Sequence, residues 1–501
     1  MQTNRPKLSM PATRSAAEPI VEREVDLDVV DALVPCRSFA ITYKIAEVGK
    51  FSLTSEFLLR LIRIVEGIQE TEAAEYFGFS ASELAYVVND METHGYVERR
   101  QGGVWLTEAG RGLFLANSDV PELYQVEQRT DRRGFDLISL APAESLGLSS
   151  FDAALPELKV PGERVTSASK AVSTAFNKHF DRLVRRATDT PLKQSLYSVD
   201  TVTPRNRFPM PVPISVRARS SMAGAPEPNL SESWTGYDLD DRSEIVEAAA
   251  TFLKSVRVSD KFATDEAFRR LAEIAPEALG EFTRNGVVRR EAFFKEALRR
   301  AGELRADRAT VPVIGTLFTG GNLDRLRRAL GYAGQKKLRL PQLLFWHAPA
   351  LPYWGATRRL PALLEGIPQL MSASSEARMR TVCIHMERPP RHIQRAFDAV
   401  VESRAVVLGL QSVEVLLVPG NVAAVIVHTA TSSPSSYPVP MGILSFDAKV
   451  VARTTELVRD LLPTHAESQT GWNPDDLGAQ IDGALAPHIE LGPADSVETG
   501  S

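Results

Sequence analysis

From about residue 54, apolar positions recur every three or four residues, the period of a helix with one buried face. Phe57, Leu58, Leu61, Ile62 and Val65 predict such a face for a helix over 54–65, which Gly67 ends. A second helix starts near Gln69 and turns Ala73, Ala74 and Phe77 inward, and Gly78 supplies the tight turn after it. Ser80 and Glu83 stand at the spacing of a capping box, ahead of an inner face of Leu84, Val87, Val88 and Met91. Residues 96–100 and 104–106 then read as two strands joined by the turn Gln101-Gly102-Gly103.

The pattern is irregular from 119 to 240. A possible strand at 208–217 is broken by Pro209, Pro211 and Pro213, and 220–236 is rich in Ser, Pro, Gly and Asn, as in a linker. Helical periodicity returns at 243–256, 264–274 and 289–304. After residue 335, short apolar runs such as 342–347, 380–386, 413–418, 422–428 and 441–446 alternate with helical stretches, the texture of a sheet covered by helices. The expected class is therefore a multidomain α+β chain, with a small N-terminal helical module, a helical middle region and a C-terminal α/β sheet domain. Its expected divisions are a disordered 1–25, the module with its extension at 26–118, an irregular α+β stretch and linker at 119–240, a helical 241–335, an α/β domain at 336–463 and a tail at 464–501.

Composition changes this picture in three places. The net charge of −5 over 501 residues offers no whole-chain attraction to nucleic acid, so a polyanion would need a local patch. Residues 281–340 hold fourteen Lys/Arg against six Asp/Glu, whereas the stretch from Pro463 onward holds seven acidic residues and no Lys or Arg, as in a solvated tail. Cys36 and Cys383 lie in apolar surroundings far apart in sequence, which points to buried thiols and against a disulfide framework or a Cys-rich metal site. The N-terminus shows no apolar signal segment, and 404–428 is broken by Gln411, Glu414 and Pro419-Gly420. A cytoplasmic protein without a membrane partner is expected.

The order helix, turn, helix, glycine, hairpin, together with Ala74, Phe77-Gly78-Phe79-Ser80, Met91-Glu92, Gly95-Tyr96-Val97 and Leu106-Thr107-Glu108-Ala109-Gly110, resembles the winged helix-turn-helix superfamily of bacterial regulators. The resemblance covers about 65 residues and implies a third helix in the major groove of double-stranded DNA, with the wing on the backbone. Ser82, Tyr86 and Asn89 would then read bases, and Arg60, Arg63, Arg99 and Arg100 would meet phosphates. Against this, no Lys or Arg lies between Ser80 and Glu92, and residues 51–114 carry a net of −5. The rival reading is a module that docks a protein or mediates self-association.

The basic segment adds Arg299, Arg300, Arg325 and Arg328 as candidate DNA contacts. Between its two clusters, the loop Gly315–Asn322 precedes a helix in a way that suits a phosphate but lacks the lysine of a Walker loop. The run 413–418, Pro419-Gly420-Asn421, 422–428 and 441–446 faintly resembles the closing strands of phospholipase D-like domains. Asn421-Val422-Ala423-Ala424 stands where that family has His-x-Lys, which implies an inert site. His347, His385 and His428 end predicted strands, but the Pro419-Gly420-Asn421 turn is expected to set the strand of His428 against the other two. Glu157-Leu158-Lys159 with Asp136 or Asp152 could form a nuclease-like metal site, and Asp238–Asp241 could ligate a cation or start a helix. No intact catalytic, metal or cofactor signature is present. The leading expectation is a non-enzymatic DNA-binding protein whose C-terminal domain binds a partner or dimerises, followed by a docking subunit of a larger assembly, and then by a divergent nuclease or phosphodiesterase.

Overall fold

The computed structural model describes residues 22–48, 52–114, 121, 124–185, 194–221, 223–230, 243–256, 263–299, 304–335, 342–371, 379–403, 409–430, 437–462 and 483–485. Helices and sheets alternate along the chain, which divides into two units: 35–146 with 160–210, and 1–34 with 147–159 and 211–501.

Strand β1 (Glu24–Val48) enters the first unit at Pro35 and pairs antiparallel from Cys36 to Val48 with a later strand, and the small module is inserted between the two. The module consists of α1 (Leu53–Ile64), β2 (Ile68–Gln69), α2 (Glu70–Phe77), α3 (Ala81–Thr93), β3 (Val97–Arg100), β4 (Gly103–Leu106) and α4 (Glu108–Gly112). Its three strands form a sheet in the order β2-β4-β3. Leu58, Leu59, Ile62, Ala73, Leu84, Val88, Met91, Val97, Val104 and Leu106 close one core. The expected capping box is present: Ser80 Oγ accepts from the Glu83 amide, and the Glu83 carboxylate accepts from the Ser80 amide at 2.9 Å. Gly78 ends α2 in the left-handed region at φ 68°, where a β-carbon is unfavourable.

The stretch expected to be irregular instead supplies β5 (Tyr124–Asp136), α5 (Gly162–Arg185) and most of β6 (Gln194–Arg219). The sheet order is β5-β1-β6-β7, where β7 is Glu227–Asn229. Phe39, Ile41, Tyr43 and Ile45 of β1 point to one face and pack under Val172, Phe176 and Phe180 of α5, with the Tyr43 and Phe176 rings 4.9 Å apart. Two features hide these strands in the sequence. Charged residues alternate along β5, where Arg129 pairs with Glu127 and Arg133 with Asp131, so the strand reads as polar. The prolines of β6 are tolerated because β7 covers only Ser215–Arg217 of it, leaving the rest an edge.

The second unit is built on a seven-stranded mixed sheet. It begins with helices α6 (Ser243–Ser255), α7 (Thr264–Ile274) and α8 (Pro276–Leu279), the hairpin β8 (Thr283–Arg284) and β9 (Val287–Val288), and α9 (Arg290–Arg299). The sheet elements follow as β10 (Thr310–Ile314), α10 (Gly320–Gln335), β11 (Leu343–His347), α11 (Arg359–Met371), β12 (Arg380–His385), α12 (Arg391–Ala396), β13 (Ala399–Glu402), β14 (Val413–Val418), β15 (Val422–Thr429), β16 (Val439–Ser445) and α13 (Ala448–Leu461). The strand order is β10-β16-β15-β14-β11-β12-β13. Both faces are buried, which is why these strands read as unbroken apolar runs. Phe345, Val382, Val415 and Val425 face a core shared with α7, α9 and α13, whereas Trp346, Cys383, Leu416 and Ala424 face α10 and α11. Beyond α13, Leu485 returns to the first of these cores. The tail expected to be solvated therefore carries an apolar anchor among its described residues.

Candidate functional site

Two regions hold the chemistry, one in each unit. In the module, all five basic side chains have partners close by. Arg60 pairs with Glu56 at 2.5 Å and lies over the Phe57 ring; Arg63 lies 4.4 Å from the Phe114 ring centre. Arg99 bridges Glu70 and Glu92, Arg100 pairs with Glu98, and Arg111 pairs with Glu66 at 3.0 Å. On the outward side of α3, Ser82 and Asn89 are exposed and Tyr86 is 78% exposed, with Ser82 Oγ 3.2 Å from Ser80 Oγ.

The outward side of α1 was missed by sequence reasoning. Phe57 and Val65, expected in the core, are 44% and 45% exposed, and Leu59 takes the buried place. Leu53 and Ile64 are 68% and 80% exposed. Leu53, Phe57 and Ile64 fall within about 40° of one another around the helix. With Tyr76 and Tyr86 they make an unusual density of apolar surface for so small a module. The signal was available in the sequence: α1 is apolar on more sides than one core can cover.

The basic segment of the second unit does not gather its arginines on one surface. Arg299 lies on α9, whose Phe293 and Phe294 pack on one face of the sheet. Arg325 and Arg328 lie on α10, whose Leu326 and Leu330 pack on the other. Arg299 is paired with Glu296 at 2.6 Å, and Arg325 donates to Asn322 Oδ1 at 2.6 Å. Arg300 lies outside the described residues. The Gly315–Asn322 loop is committed internally: the Gly315 amide donates to Pro440 O, the Thr316 amide donates to Leu27 O, and Asn322 Nδ2 donates to three loop carbonyls. Its turn is a fastening, and these amides are not turned to a phosphate.

The proposed nuclease-like set resolves into structural roles. Asp136 accepts from the amides of Ile138, Ser139 and Ala141 within its own turn. Asp152 pairs with Arg358 at 2.7 Å, and Leu158 of the Glu157-Leu158-Lys159 run bonds Leu33. Asp238–Asp241 lie outside the described residues. Among the described residues no three His, Cys, Asp or Glu side chains converge as a metal site, and no helix is long and apolar enough to cross a membrane. Cys36 and Cys383 are buried and unbonded to each other, and burial pushes the Cys383 thiol up.

The sheet edge corrects one expectation. The Pro419-Gly420-Asn421 turn does reverse the chain, but β14 itself runs antiparallel to β11, so β15 regains the direction of β11 and β12. His347, His385 and His428 thus share the carboxyl edge. Each is held differently. His347 Nδ1 lies 2.9 Å from Val413 O, while its buried Nε2 has no hydrogen-bond partner among the described residues. Burial lowers its pKa to about 4. His385 Nδ1 sits 2.7 Å from Glu387 O. His428 Nε2 lies 3.0 Å from the fully buried Glu414, whose other oxygen accepts from Trp346 Nε1 at 3.3 Å.

A cleft opens beside His428, lined by Asp28, Val30, Val256, Leu351, Tyr353, Trp354, Tyr437 and Pro438. Its room for the centre of a water molecule is about 10 Å³, enough for about one water. Asp28 is half-buried here. Its Oδ1 accepts from the Val29 amide and Thr316 Oγ1, both at 2.8 Å, and its Oδ2 accepts from Tyr437 Oη at 3.1 Å. Withdrawal from water outweighs those donors and raises the carboxyl to about 6. Tyr353 holds φ 65°, a strained backbone for a bulky residue.

No protein-family model, curated protein or solved structure matches the chain.

Proposed function

We propose that residues 52–114 are a winged-helix module that docks a protein partner, and that the chain is an interaction subunit of a larger assembly. One observation carries this reading: every basic side chain of the module has a local partner, while Leu53, Phe57, Ile64, Val65, Tyr76 and Tyr86 stand exposed. Duplex binding draws most of its affinity from cations placed on phosphates. Here Arg60, Arg99, Arg100 and Arg111 would each have to leave a carboxylate that then repels the same phosphate. Apolar surface has no such conflict and gains by leaving water. The net of −5 over 51–114 favours a partner with an apolar centre and a basic rim, and it opposes pairing of two copies through this face.

A second reading keeps the module on DNA, and the outward line Ser82, Tyr86 and Asn89 favours it, because these side chains suit base edges. Two measurements on the full chain separate the readings. For docking, duplex DNA is not retarded at low salt. A stoichiometric partner with a basic binding surface co-purifies with the wild type and is lost from the folded Phe57→Ser/Ile64→Ser variant. Salt-dependent retardation weakened by Tyr86→Ala or Arg100→Ala would give the module to DNA instead.

A further inference from the structure

The cleft at the carboxyl edge has a charge that its surroundings match only in part. Among the described residues no Lys or Arg comes within ion-pair distance of Asp28, in contrast to Asp26, paired with Arg217, and Asp152, paired with Arg358. A positive charge on His428, which lines the cleft, favours ionised Asp28, but the same ring also serves Glu414, which leaves two carboxylates to one imidazole. A carboxylate drawn out of water without a cation is costly, so the site favours either a proton or a cationic ligand.

The geometry limits that ligand. A carboxylate offers about four lone-pair positions, and Asp28 uses three, two on Oδ1 and one on Oδ2. One acceptor position on Oδ2 therefore remains for a donor. The lining includes the aromatic residues Tyr353, Trp354 and Tyr437, a residue type that suits a cation. The enclosed space is about that of one water, which an ammonium head fills, and the open position on Oδ2 calls for an N–H donor, which a quaternary amine lacks.

We propose that this cleft is a receptor for a primary ammonium group, with Asp28 as its counter-ion. The head donates to Asp28 Oδ2 beside the aromatic side chains of the lining. A free alkylamine and the lysine of a partner protein both present this chemistry.

The test is titration calorimetry of the full chain with methylammonium, with a lysine-bearing peptide blocked at both ends, and with tetramethylammonium. Methylammonium is expected to bind saturably at neutral pH, and tetramethylammonium is expected neither to bind nor to compete. Asp28→Asn, checked for folding by circular dichroism, should weaken binding by roughly tenfold or more, the loss of one charge-assisted contact. The wild type alone supplies the same test, since affinity should fall as the pH is taken from 7.5 to 5 and Asp28 gains a proton. A peptide that binds more tightly than methylammonium through Asp28 assigns the site to a partner's lysine; the reverse assigns it to a free amine. No saturable binding of either, or binding that Asp28→Asn and pH leave unchanged, overturns the proposal.

Discussion

At Gly110 the backbone of the module leaves no room for a side chain. A β-carbon there would lie 2.0 Å from the Tyr96 carbonyl oxygen, and Thr107 ties the same corner by donating to Gly95 O and accepting from the Gly110 amide. Gly110→Ala is expected to cost about 1–3 kcal/mol by forcing the hairpin from the helix that follows it. A lowered thermal midpoint in calorimetry checks this, and an unchanged one refutes it. At the sheet edge, Glu414 is fully buried and has His428 and Trp346 as its partners. His428→Ala removes one partner and strands a carboxylate, so a loss of about 3–5 kcal/mol is expected. Replacing both residues at once, as Glu414→Gln/His428→Gln, should cost less than the single change, and chemical denaturation of the three proteins compares them.

At the scale of elements, α1 decides between core and surface by one step around the helix. Leu59 lies in the core and Leu53 on the outside, though both are leucines of the same helix. Leu59→Ala should therefore cost about 2–5 kcal/mol, while Leu53→Ser should stay within about 0.5 kcal/mol. Equal effects in a denaturation series would place the docking surface elsewhere. The same helix shows what a sequence discloses. α3 and its hairpin were legible because Ser80, Glu83 and Gly102-Gly103 specify local geometry that needs no tertiary partner. The core face of α1 was not, since Phe57 and Leu59 are equally apolar and only packing against α3 and β4 selects between them. β5 and α5 were hidden for a related reason: the ion pairs along β5 make a strand look like a polar loop. The arginine clusters were visible as charge, but their placement on opposite faces of a sheet depends on a strand order that pattern alone does not give.

At the scale of the whole molecule, the unit built on the seven-stranded sheet carries opposing titrations, and their balance predicts how stability follows pH. His347, His385 and His392 all have pKa values lowered, chiefly by burial, to about 4 for His347. Unfolded, each takes a proton near 6.5, so between that pH and the lower folded values the unfolded chain binds more protons. Stability from these groups is complete above pH 6.5 and is lost as pH falls through the folded values. For His347 alone the limit is about 3 kcal/mol. Asp28 works the other way. Its folded value of about 6 lies above 3.8, so the folded state is relieved as acid protonates it, and its penalty is in full force only above pH 6. Asp31 is raised by burial as well, while Asp152 and Glu277 are lowered and side with the imidazoles, so five groups against two leave a net loss on acidification from pH 6.5 towards 4. The thermal midpoint should fall over that range. His347→Asn, which keeps a donor for Val413 O but cannot take up the proton, should flatten the fall. Asp28→Asn should raise the midpoint at pH 7.5 and leave it nearly unchanged at pH 4, because only at the higher pH does the wild type hold a charge there. A midpoint that stays level from pH 7.5 to 4.5 would mean that these rings are neither so dry nor so tightly held as their surroundings indicate.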